Sequence, residues 1–165
     1  MSHRGSERVH LGTDSSGRPV VLTRRMLAAF DAACEQAGLR PVIIQGAFMT
    51  AHGGHGTPAS AGTHDLAGCL DTRTEDLGEH EQRRVLLAAR AVGWAVWKRD
   101  RDHGDFAEHH HWLLLGEPGM HPTARAQERA YLAGLDGLDD GGPDYHWRPD
   151  PIPRFRYRPA GAPSV

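Results

Sequence analysis

Apolar residues recur at intervals of three and four between Met26 and Ala37 (Met26, Leu27, Phe30, Ala33, Cys34, Ala37), a spacing that predicts an amphipathic helix. Thr23 stands where an N-cap is expected, and Gly38 where the helix should stop. The same period returns over Glu79–Val92 through Val85, Leu86, Ala89 and Val92, with Gly93 as its stop. A third helix is expected over 122–135, with Pro122 in its first turn. Shorter apolar runs read as strands. VHL (9–11) and PVVL (19–22) flank the turn-rich TDSSG and predict a hairpin. PVIIQ (41–45), AGCLDT (67–72), WAVWK (94–98) and HHHWLLLG (109–116) follow, with RDRDHGDF (99–106) as a polar turn. Helices interrupt these strands without strict β-α-β alternation. The expected fold is α+β, a mainly antiparallel central sheet with two to three flanking helices and a metal site at the sheet edge.

A chain of 165 residues supports one domain with a core, expected over 1–141. Residues 142–165 are rich in Pro and Arg and are expected to wrap the domain as an extension or to be partly disordered. From Met49 to Thr63 the chain is Gly, His, Thr, Ser and Ala, a long loop of the kind that compact domains usually reserve for function. A net charge of −2 gives no basic field for nucleic acid. No apolar run approaches the roughly 18 residues of a membrane helix, and the first ten residues carry no secretory signal. Synthesis in the cytoplasm is expected, with release by another route if the protein acts outside the cell. Cys34 and Cys69 make no disulfide framework and read as buried free thiols.

Twelve histidines change the picture, because four of them fall in two short clusters. His64 leaves the Gly-rich loop, and Asp71 follows seven positions on, inside a strand beside Cys69 and Leu70. A carboxylate among core positions needs a cation or donors, and an imidazole with a carboxylate suits a catalytic zinc ion. The second cluster, Glu108-His109-His110-His111, runs into the strand WLLL. Alternation puts His109 and His111 on one face and His110 on the other.

The pairing of His-x6-Asp with a later Glu-x-x-His or His-x-His resembles the group of zinc D-Ala-D-Ala peptidases, lysostaphin-type endopeptidases and the hedgehog signalling domain. The layout is similar to that of small lytic peptidases of actinobacteria and their phages. The resemblance implies His64, Asp71 and His111 as zinc ligands. It implies Glu108 as the catalytic carboxylate of one branch, or His109 as the catalytic helper of the other. The chain departs from the Ser-x-His-x-x-Gly-x-Ala-x-Asp spelling at Gly62, Ala67 and Cys69, and the segment QGAF (45–48) lacks an Arg that could hold a substrate carboxylate.

The resulting expectation is a zinc hydrolase of amide bonds in peptidoglycan-type peptides. Endopeptidase action is preferred to D-Ala-D-Ala carboxypeptidase action for want of that Arg. The alternative is a non-catalytic, zinc-stabilised module of the hedgehog kind. Glu108 is the first choice of general base from the family spacing, and His109 is the one that strand parity favours. Among lesser candidates, His52 and His55 lie in the loop, and Asp65 or Asp105 can orient a ligand imidazole.

Overall fold

Thr23 closes the first hairpin and opens the first helix. In the computed structural model, which describes residues 7–49, 62–102, 104–149, 151–154 and 156–159, β1 (Arg8–Thr13) pairs antiparallel with β2 (Pro19–Thr23). The Asp14 carboxylate ties the turn between them, accepting from the backbone N–H of Ser16 and Arg18 and from Arg18 Nε at 2.6 Å. Thr23 Oγ1 then accepts from Met26 N at 3.1 Å and caps α1 (Arg24–Ala37), a contact worth about 1 kcal/mol. Gly38, at φ 67°, ends the helix in the left-handed region.

The remaining elements are β3 (Ile43–Gln45), β4 (Cys69–Arg73), α2 (Glu79–Val92), β5 (Trp94–Arg99), β6 (His109–Leu114) and α3 (Pro122–Ala133). The four later strands form an antiparallel sheet in the order β3-β4-β6-β5, so the fold is α+β as expected. Strand β5 runs one residue further than the apolar pattern shows, because Arg99 still pairs with His109. Helix α3 stops at Ala133, where Gly134 takes a left-handed conformation.

Alternation gives the sheet two different faces. Leu70, Val96, Trp112 and Leu114 point to α1 and α2 and pack with Phe30, Leu86 and Ala89 in the larger core. Cys69, Ala95, Trp97 and Leu113 point the other way and meet Ala124 and Tyr131 of α3, with Ile152 beyond. Each large apolar side chain fully buried in this way contributes about 1.5–3 kcal/mol. A few of the described residues after Gly141 pack on the rest of the chain. Asp144 pairs with the fully buried guanidinium of Arg90, and Trp147 and Tyr157 pack on the larger core. The Gly- and His-rich stretch at 50–61, with His52 and His55, lies outside the described residues.

Candidate metal centre

The second face of the sheet changes from core to cleft within two residues. Cys69 on β4 and Leu113 on β6 are cross-strand neighbours in the smaller core, and two positions along come Asp71 and His111. Across the sheet, Gln45, Asp71, His111 and Trp97 form one row, and Arg73, His109 and Arg99 the next. Asp71 and His111 therefore sit on the two central strands rather than at an edge, because β3 adds outside β4 and β5 outside β6.

His64 reaches this row from the chain that leads into β4. Its carbonyl accepts from Met49 N at 2.9 Å, and Leu66 O accepts from Phe48 N at 3.2 Å, so the segment is clamped to 46–49. The His64 ring donates from Nδ1 to the Gly46 carbonyl at 3.0 Å. Gly46 lets this segment pass close to β2, since a Cβ there would come within 2.8 Å of the Val21 backbone nitrogen.

One ligand atom each from His64, Asp71 and His111 lies within 4.8 Å of the others. His111 Nδ1 is 2.7 Å from Asp71 Oδ1, and His64 Nε2 is 3.4 Å from the same oxygen. All three residues are buried, with 2%, 6% and 5% of their surface exposed for His64, Asp71 and His111. Burial alone would raise the Asp71 carboxyl, but the two imidazoles against it outweigh this and hold it well below the usual range. Burial wins at His111, which is pushed down, while Asp71 beside His64 overcomes burial there and pushes that imidazole up.

The donor set fits a cation. His111 Nε2 faces the Gln127 side-chain oxygen at 2.9 Å, while Nδ1 faces Asp71. A neutral imidazole has one N–H and cannot donate to both oxygens. With Nε2–H given to Gln127, the Nδ1 lone pair meets a carboxylate oxygen, and a positive ion between them resolves the clash. His64 is arranged alike: with its Nδ1–H spent on Gly46, the neutral ring turns the Nε2 lone pair towards Asp71. Both imidazoles are thus oriented by an oxygen behind them, as in metal-bound histidines generally. Two nitrogens and one carboxylate oxygen suit a borderline divalent ion.

The triad lines a cleft of about 400 Å³ with Gln45, Thr63, Arg99, Asp105, His109 and Gln127 also in its wall. His109 donates from Nδ1 to the Ala107 carbonyl at 2.7 Å, which in the neutral ring leaves the lone pair on Nε2, and that atom stands 3.9 Å from Asp71 Oδ2. Glu108 is not brought to the cleft. Its carboxylate accepts from Gln82 Nε2 of α2 at 2.9 Å and pairs with Lys98 at 3.3 Å. An odd offset of three from His111 lands on the opposite face of an extended strand, where in a helix it would land on the same side. His110 also points away. It is fully buried, neither ring nitrogen has a partner among the described residues, and burial pushes its pKa down to about 3.

Three residues of the cleft escape sequence reasoning, with Trp97 in the core behind it. Trp97 stacks on His111 with ring centroids 5.9 Å apart and planes 19° from parallel, a pairing that strand parity alone could have shown. Gln127, Gln45 and Arg99 carry no motif spacing. Asp105 lines the cleft, and Asp65 acts on His64 through its charge. No family model matches the chain, and no curated protein or solved structure matches it. No helix among the described residues is long and apolar enough to cross a membrane.

Proposed function

We propose that this protein is a zinc-dependent hydrolase of amide bonds in peptidoglycan-type peptides. The observation that carries the reading is the convergence of His64, Asp71 and His111 in a cleft that also holds the bare Nε2 of His109. His64, Asp71 and His111 would hold the zinc ion, which would supply Lewis-acid polarisation of a carbonyl and acidify a water. His109 Nε2 accepts the proton of a water in the cleft, its ring fixed by the Ala107 carbonyl. Trp97 stacks on His111 from the core side and fixes that ring in plane, and Gln127 holds its far nitrogen. In this reading Glu108 joins α2 to the sheet through Gln82 and takes no proton from the reaction. The peptidoglycan substrate class rests on the resemblance of the two ligand motifs.

The distance of Glu108 from the cleft is the observation that favours the second reading, a non-catalytic zinc-stabilised module. Digestion of purified muropeptides with the zinc-loaded protein, followed by mass spectrometry, separates the two. Loss of one amide bond, abolished in His109→Ala, supports the hydrolase. Intact muropeptides with a full zinc site would move the case to the binding module.

A further inference from the structure

The net charge of −2 hides an uneven distribution of arginines. Residues 151–159 hold three of them, at every second position (Arg154, Arg156, Arg158), and no acid. All three are exposed, yet the segment that carries them is pinned. Ile152 is buried in the smaller core, the Tyr157 ring packs on the larger one, and the Tyr157 carbonyl accepts from Arg25 Nη2 at 3.0 Å. Gly116, at φ 67°, lets the stem of Arg156 lie over it, since a Cβ there would stand 2.5 Å from Arg156 Cδ. The three arginines line one open groove of about 750 Å³, together with Ala32 of α1 and Val92 of α2.

The same helix seam carries a second basic group. One turn away along each helix, Gln36 and Ala88 line a groove of about 420 Å³ with His80, Arg83 and Arg84. Positions 80, 84, 88 and 92 follow one another along one stripe of α2, so the two grooves share a seam about 18 Å long. None of the five arginines has an ion-pair partner among the described residues. Of the acids on the two helices, Asp31 is paired with Arg40 and Glu81 accepts from the Gly78 N–H, which leaves Glu35 and Glu79 to set against five arginines. Guanidinium groups strung along a groove suit a linear polyanion, and their planar fork suits phosphate. The lining also selects among polyanions. It holds no tryptophan or phenylalanine among the described residues, and the Tyr157 ring is packed on the core, so bases find little to stack on. The exposed large apolar residues, Leu11, Val42, Leu66 and Tyr145, line neither groove, so a bilayer finds no exposed apolar anchor. We propose that the α1–α2 seam and the strap 151–159 bind a linear phosphodiester polymer without bases, of the polyol-phosphate kind. Bound to such a polymer in a cell wall, the chain is held near the peptides proposed for its cleft, but no cleft residue takes part.

The probe is a dye-labelled oligo(glycerol phosphate), titrated with the full chain by fluorescence anisotropy at salt concentrations from about 50 to 200 mM. The wild type is expected to bind it, with a log–log salt slope of about −2 to −4 as the arginines displace counterions. The triple variant Arg154→Gln, Arg156→Gln, Arg158→Gln should bind at least about tenfold more weakly, with a slope shallower by about two. Arg83→Gln with Arg84→Gln should weaken binding in smaller measure. Arg24→Gln, Arg40→Gln and Arg129→Gln together remove the same charge from other positions and should stay within about threefold of wild type, because distant charges are screened. Absence of wild-type binding at the lowest salt overturns the proposal, and that arm needs no variant to fold. An equal loss in the two triple variants also overturns it, because net charge and not the groove is then at work. Tighter binding of a single-stranded oligonucleotide of equal charge, or of phosphatidylglycerol vesicles, overturns it in favour of nucleic acid or membrane. A chain that binds the polymer but leaves muropeptides intact keeps this proposal and loses the hydrolase, and cleavage without polymer binding does the reverse.

Discussion

His111 Nδ1 stands 2.7 Å from Asp71 Oδ1 directly across the β4–β6 ladder, with Gln127 on the other ring nitrogen. In the proposed metal site Gln127, by taking the Nε2–H, would leave His111 Nδ1 free to bind. Replacing Gln127 with Leu is expected to weaken zinc about 10- to 100-fold while leaving the fold intact. Competition with a chromophoric chelator reads the affinity. An unchanged constant would mean that the ring is held by Trp97 alone.

In the proposed hydrolase, the direction of two neighbouring side chains decides between the candidate bases. His109 faces the cleft, while Glu108 is bound to Gln82 and Lys98. His109→Ala is expected to keep zinc and lose about 10²- to 10⁴-fold in turnover, the usual worth of general base catalysis. Glu108→Gln should stay within about threefold of wild type, far short of that loss. Steady-state kinetics on metal-replete protein decide it, and the reverse ranking would return the role to Glu108.

His110 tests the strand register from the other side. Its two ring nitrogens are buried without partners among the described residues. His110→Leu removes both and should hold or raise stability by about 1–3 kcal/mol, the penalty of an unmade buried hydrogen bond, with zinc retained. Chemical denaturation and elemental analysis read the two effects. Loss of zinc in this variant would contradict the placement of His110 away from the site.

The fold was largely written in periodicity. The apolar spacing gave both long helices, and Thr23, Gly38 and Gly93 marked their ends because capping is a local property. The parity of β6 likewise separated His109 and His111 from His110 without knowledge of the partner strands. Glu108 was misleading because the spacing Glu-x-x-His does not say whether the chain is coiled or extended there. Gln45, Arg99 and Gln127 were illegible for a different reason. Their meaning lies in three separate elements meeting at one cleft, and Arg99 sat in a run of charges that reads as a solvated turn.

The hairpin that supports β3 carries a pH dependence of its own. Burial would raise the Asp14 carboxyl, but the N–H groups of Arg18 and Ser16 and the Arg18 guanidinium outweigh it and hold it below the usual 3.8. The unfolded chain therefore binds this proton more readily than the folded one, and the contribution, present above pH 3.8, is lost as pH falls through the lowered value. Asp14→Ala should cost about 1–3 kcal/mol at neutral pH, and the gap to wild type should narrow below pH 3.8. Denaturant melts across that range check it. A gap independent of pH would show that Asp14 acts through packing and not through its charge.

Everything proposed for the cleft depends on whether His64, Asp71 and His111 hold an ion together. Elemental analysis of protein purified without chelator measures this directly. The account predicts about one zinc per chain in the wild type, and background levels in His64→Ala, Asp71→Ala and His111→Ala. Metal at the same substoichiometric level in the wild type and all three variants would contradict it.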